Sequence, residues 1–86
     1  MMKSFDYVMT APEGIHSRPA GALVKKAQEF ESEILVSFGG KSANARKLFA
    51  LMKLGVKRGD TVSVTAEGAD EELASSAMAD FLASHF

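Results

Sequence analysis

The chain has 86 residues, a formal net charge of −1, 47% hydrophobic residues and no cysteine. Such a length suits one domain over residues 1–86, and the composition excludes a disulfide framework, thiolate chemistry and a cysteine-based zinc site. The balanced charge argues against general nucleic-acid affinity.

No apolar run approaches the length of a membrane span, so membrane insertion is not expected. The opening residues Met1 to Asp6 carry neither an apolar signal core nor a cleavage site, which leads to the expectation of a cytoplasmic protein. Acids gather in the last third (Glu67, Asp70, Glu71, Glu72, Asp80), while Arg18, Lys25, Lys26, Lys41, Arg46, Lys47, Lys53, Lys57 and Arg58 occupy the middle. A basic side of this kind suits an acidic protein partner, and equally suits a solvated surface.

In chain order, Phe5, Tyr7 and Met9 alternate with Ser4, Asp6 and Val8, the period of a strand. Ala11-Pro12-Glu13-Gly14 breaks that strand into a loop. From Ser17 the period lengthens: Ala20, Leu23, Val24, Ala27 and Phe30 share one helical face, with Lys25, Lys26 and Glu29 opposite. Pro19 falls in the first turn, where its missing N–H costs nothing.

A second strand is predicted over Glu33 to Phe38 and a short third over Lys41 to Asn44, joined by a Gly39-Gly40 hairpin. Ala45 to Leu54 reads as a short helix stopped by Gly55. Lys57-Arg58-Gly59-Asp60 turns into a strand over Thr61 to Ala66, in which Val62 and Val64 alternate with Ser63 and Thr65. Asp70 is placed as the cap of a last helix, with Glu71 and Glu72 complementing its dipole and Ala74, Ala77, Met78, Phe81 and Leu82 on its apolar face.

The predicted order is β-α-β-β-α-β-α. Half-apolar strands have one face covered, which predicts an α+β open-faced sandwich: a four-stranded antiparallel sheet with three helices on one face.

The chemistry concentrates in Gly14-Ile15-His16-Ser17-Arg18-Pro19-Ala20. His16 falls at the junction of loop and helix, where the backbone amides of Ser17 and Arg18 lack intrahelical acceptors. With the helix dipole they make an anion site, and Arg18 adds a guanidinium suited to phosphate. A neutral imidazole nitrogen is a nucleophile near neutral pH, so the segment has the parts for a phosphohistidine. A capping histidine beside a solvent-facing arginine fits the same residues.

A metal site is not supported, because His16 has no cysteine or aspartate partner at ligand spacing. His85, the other histidine, reads as a surface residue, and Ser17 has no base and acid partner for nucleophilic work. Gly39-Gly40-Lys41-Ser42 ends like a phosphate-binding loop, but the required first glycine would fall at Leu35, inside a strand. Lys57-Arg58-Gly59 lacks the interleaved aromatics of a nucleic-acid surface.

In the middle helix Leu51 and Leu54 can turn inward together. Leu48, Phe49 and Met52 then lie on another side, where three turns cannot bury them all. They form a docking surface, with Met52 adaptable to several partners, or a loop covers them.

These residues resemble the HPr family, phosphocarrier proteins of the sugar phosphotransferase system. The likeness runs along essentially the whole chain. It is strongest over Thr10-Ala11-Pro12-Glu13-Gly14-Ile15-His16-Ser17-Arg18-Pro19-Ala20, then Gly40-Lys41-Ser42-Ala43-Asn44-Ala45-Arg46, Leu48-Phe49, Leu54-Gly55 and Thr65-Ala66-Glu67-Gly68. The resemblance implies that His16 takes a phosphoryl group on Nδ1 from phosphorylated enzyme I and passes it to IIA domains, with Arg18 accompanying the group. It implies docking of both partners on Leu48, Phe49 and Met52, with Lys25 and Lys53 at the margin. It implies a carrier, a component of a transferase system, with no cofactor or nucleotide, and a monomer by default.

Two positions depart from the family. Many relatives open the middle helix with a serine that a kinase phosphorylates; here Lys47 stands in that place, so serine-based regulation is not expected. Lysine supplies no side-chain cap there, although Asn44 or Ser42 are candidates to cap locally. Glu13 stands where relatives often carry a small polar residue, putting a carboxylate near the phosphate site. The runner-up reading is an HPr-like regulatory or pathway-dedicated paralogue acting by protein docking, and a small RNA-binding α+β domain is a distant third.

Overall fold

The computed structural model describes residues 2–15 and 17–86, with residue 17 described by its backbone alone. Among the described residues the order is β1 (Lys3–Val8), α1 (Ser17–Ala27), β2 (Glu33–Phe38), β3 (Lys41–Asn44), α2 (Leu48–Lys53), β4 (Thr61–Glu67) and α3 (Glu71–His85). The strands form an antiparallel sheet in the order β1-β4-β2-β3. The fold class expected from the sequence is the one observed.

Strand alternation decides which face the helices cover. One row across the sheet reads Phe5, Val64, Val36 and Ala43, paired in register and packed in the core. The adjacent row reads Asp6, Ser63, Ser37 and Ser42. There the Ser63 hydroxyl donates to Asp6 and the Ser37 and Ser42 hydroxyls bond each other, both at 2.8 Å. This hydroxyl row lies on the open face. Opposite it, Leu23 and Ala27 of α1, Leu51 of α2 and Ala74, Met78 and Leu82 of α3 are buried over Ile34, Val36, Val62, Val64 and Ala66. Each large side chain in that set contributes about 1.5 to 3 kcal/mol by leaving water.

The hairpin between β2 and β3 has φ of +60° at Gly39 and +81° at Gly40. Two positive angles in a two-residue loop define the mirror-image turn that matches strand twist, and glycine adopts it without steric cost.

Three expectations need correction. First, α2 runs over Leu48–Lys53, not Ala45 to Leu54. Residues 45–47 are committed elsewhere: the Ala45 amide donates to the Ile34 carbonyl at 2.8 Å, and the Lys47 amide to the Asn44 carbonyl at 2.9 Å. The Arg46 amide donates to Asn44 Oδ1 at 2.9 Å, while its guanidinium reaches the Phe30 and Ser32 carbonyls. Second, α1 ends at Ala27, so Phe30 is not on its face. The chain tightens into three-residue turns, with Glu29 bonded to Lys26 and Phe30 to Ala27, and Phe30 is buried beyond the helix.

Third, Asp70 holds the N-cap position of α3 but makes no side-chain cap bond. Its Oδ1 accepts the Ser32 hydroxyl and, at 2.9 Å, the Ser32 amide; its Oδ2 accepts the Glu31 amide at 2.9 Å. The Gly68 amide, just ahead of the helix, is taken by Glu71 Oε1 at 3.2 Å. Asp70 therefore fastens the start of α3 to the loop that leaves α1. Arg46 grips the carbonyls of the same loop.

The Ser32 hydroxyl, followed by the Glu31 amide, holds the Asp70 carboxyl below its ordinary value of 3.8. A carboxyl depressed on folding stabilises the fold above its unfolded value, and that stabilisation drains as pH falls through the folded value. Asp70→Asn should unfold at lower denaturant than wild type at neutral pH, with the gap narrowing as pH drops below 3.8. Urea titrations across that range check this; a gap independent of pH contradicts the assignment.

Candidate functional site

The segment leading to His16 is built almost entirely from backbone contacts. Beyond β1, the Met9 amide donates to the Asp60 carbonyl and the Gly59 amide to the Met9 carbonyl, both at 2.8 Å. Asp60 also closes its own turn by accepting the Lys57 amide on Oδ2 at 2.9 Å. The Phe86 main-chain oxygen then receives three donors: the Thr10 amide at 2.6 Å, the Thr10 hydroxyl at 2.7 Å and the Ala11 amide.

Ala11 to Gly14 form a turn closed by the Gly14 amide on the Ala11 carbonyl at 3.0 Å, with Pro12 where its fixed φ is favoured. Gly14 has φ of +65°, and a Cβ placed there would stand 2.1 Å from the Val56 carbonyl oxygen. The same carbonyl accepts the Ile15 amide at 3.3 Å. Glycine is required twice over, by the left-handed angle and by the close approach.

α1 opens at Ser17, one residue after His16. His16 itself lies outside the described residues, as does the side chain of Ser17. What the structure gives is the frame on both sides. Ser17 and Arg18 open the helix, the positions whose amides lack intrahelical acceptors. The first turn of α1 carries no acidic residue, so its positive end is not neutralised from within. Arg18 is exposed and Pro19 half-buried. Glu13 is exposed in the loop, and His85 is exposed at the far end of α3, its ring 4.3 Å from that of Phe81.

α2 packs against α1. Leu51 is buried, whereas Phe49 is 76% exposed, Met52 is 39% exposed and Leu48 is half-buried. Lys25 and Lys53 are exposed on the two adjoining helices. Lys47 occupies the N-cap of α2 in extended conformation (φ −115°, ψ 102°) with no side-chain cap bond. Neither suggested local cap replaces it: Asn44 Oδ1 serves the Arg46 amide and Ser42 bonds Ser37.

Residues 3–84 match the family model described as the PTS HPr component phosphorylation site. The chain belongs to the HPr phosphocarrier family of the phosphotransferase system. It is 46% identical over 77 residues to the phosphocarrier protein HPr of Buchnera aphidicola subspecies Baizongia pistaciae, covering 90% of this chain and 91% of the relative. Among solved structures it resembles HPr-C-His from Thermoanaerobacter tengcongensis, with a TM-score of 0.92, 38% identity and coverage of 98% and 94%. An HPr dimer from the same organism matches with a TM-score of 0.76, 38% identity and coverage of 91% and 88%. Sugar transport through a phosphohistidine follows from HPr family membership. No helix among the described residues is long and apolar enough to cross a membrane.

Sequence reasoning proposed the Gly14–Ala20 segment of this HPr-family chain but did not anticipate the contacts that hold the loop before it. Val56, Asp60 and Phe86 contribute main-chain oxygens, which no residue type advertises. The Thr10 hydroxyl is the one side-chain donor among these contacts to the loop, and its partner lies 76 positions away.

Gly14→Ala is expected to cost about 2 to 5 kcal/mol, the left-handed penalty plus displacement of Val56. Gly39→Ala, with the same sign of φ but open space around it, should cost only about 1 to 2 kcal/mol. Urea midpoints of the two variants check this, and equal losses would mean that the Val56 approach is not tight.

Proposed function

We propose that this chain accepts a phosphoryl group on His16 from phosphorylated enzyme I and delivers it to IIA domains for sugar uptake. The observation that carries the reading is the family match across residues 3–84, because it spans the Gly14–Ala20 segment whose chemistry suits phosphate. The local frame supports it: a braced loop runs into the residue before α1, and Arg18 stands exposed in a first turn without acids.

Little acid–base chemistry is needed. The lone pair of Nδ1 on a neutral imidazole attacks the phosphorus of the donor's phosphohistidine. One N–P bond forms as the other breaks, and the donor imidazole leaves with its electron pair. The amides of Ser17 and Arg18 and the Arg18 guanidinium stabilise the charge on the transferring oxygens. The return step uses the same groups, so transfer is reversible.

In this reading Leu48, Phe49 and Met52 dock both partners, with Lys25 and Lys53 steering acidic surfaces at the rim. One copy supplies acceptor and docking face, so the carrier acts as a monomer in the cytoplasm. Lys47 has no hydroxyl, and serine-based regulation at the start of α2 is absent.

Incubation with enzyme I and phosphoenolpyruvate should add one acid-labile phosphate by mass, and His16→Ala should abolish the gain. No gain with a competent enzyme I overturns the proposal. Phe49→Ala should weaken binding to enzyme I by about 1 to 3 kcal/mol in calorimetry; unchanged affinity removes Phe49 from the interface.

A further inference from the structure

Thr10 has no role in the chemistry described so far, yet its side chain ties the loop before α1 to the end of α3. Its hydroxyl and amide both donate to the Phe86 main-chain oxygen, at 2.7 and 2.6 Å, and the Ala11 amide joins them. The acceptor is itself immobilised. The Phe86 amide continues the last turn of α3 by donating to the Leu82 carbonyl at 2.8 Å, and the Phe86 ring is buried in the core.

From this grip a short covalent and hydrogen-bonded route leads to His16. The Ala11 carbonyl receives the Gly14 amide, Gly14 seats on Val56, and the Ile15 amide donates to the Val56 carbonyl. Any residue at positions 10 and 11 other than proline would supply the two amides. The hydroxyl is the part of the grip that the choice of Thr10 determines.

We propose that Thr10 is a positioning residue for phosphoryl transfer. By completing the three-donor hold on the Phe86 oxygen, it sets where the Ala11–Gly14 turn sits and so the direction in which His16 meets an incoming phosphohistidine. The inference rests on the phosphocarrier reading. In-line transfer depends on alignment rather than on acid–base strength, so a small displacement of the loop acts on the transfer step and leaves the docking helix α2 untouched.

Two variants test it. Thr10→Val keeps the branch, the volume and the backbone amide but loses the hydroxyl; Thr10→Ser keeps the hydroxyl. In transfer from phosphorylated enzyme I, Thr10→Val should lower kcat about 3- to 10-fold with KM within about twofold of wild type, and Thr10→Ser should restore both. In the unphosphorylated protein the imidazole nitrogen NMR signals of His16 should move in Thr10→Val and stay in place in Thr10→Ser. If wild type itself takes no phosphate, the carrier reading fails and the ring signals alone decide the role of Thr10. A Thr10→Val protein with wild-type kcat, with a loss confined to KM, or with unmoved His16 signals overturns the proposal. A Thr10→Ser protein as impaired as Thr10→Val does the same.

Discussion

The carbonyl of Val56 governs the approach to α1. It receives the Ile15 amide while the bare backbone of Gly14 lies flush against it. A main-chain carbonyl between buried Leu54 and Val56 and the turn that follows has little room to move, so the loop pressed on it inherits that rigidity. The same carbonyl sits at the exit of α2, the helix that exposes Phe49 and Met52. The loop before α1 and helix α2 thus share one backbone seam, Leu54-Gly55-Val56. Under the proposed function, a partner seated on α2 would be registered through that seam against the loop that precedes α1. If the chain aligns two imidazoles for in-line transfer, as proposed, such registration is the main thing the fold has to supply.

α1 is held at both ends by different means. Ahead of its start, backbone bonds from Met9, Ala11, Gly14 and Ile15 are joined by the Thr10 hydroxyl. At its exit, polar side chains take over: Arg46 grips the carbonyls of Phe30 and Ser32, and Asp70 takes the amides of Glu31 and Ser32 together with the buried Ser32 hydroxyl. This second clamp joins the loop that leaves α1 to the segment before α2 and to the start of α3. It stabilises the fold, and its dependence on an ionised carboxylate makes it sensitive to acid.

Much of the architecture was legible in the residues, and the misses share a cause. β2 and β3 were bounded correctly because period-two alternation flanks a Gly39-Gly40 pair that admits one kind of turn. The start of α2 was misplaced because Ala45, Arg46 and Lys47 look helical by composition while their polar groups are claimed by Ile34, Asn44, Phe30 and Ser32. Asp70 was found at the right position with the wrong partner, since its ligands lie 38 and 39 residues earlier. The candidate site divides in the same way. His16, Arg18 and the apolar residues of α2 were proposed from residue type and spacing. The supports of the loop before α1 are main-chain oxygens of Val56, Asp60 and Phe86, atoms every residue carries. Only the tertiary fold selects them.

The rigidity of the acceptor loop is therefore the claim on which the rest stands, and native-state amide hydrogen exchange reads it directly. In the unphosphorylated protein the amides of Thr10, Ala11 and Ile15 should exchange with protection comparable to the core strands, opening only when the domain opens. Exchange of these amides at the rate of an unstructured chain, while β2 and β4 stay protected, would show that the loop is not held and would contradict a preorganised acceptor.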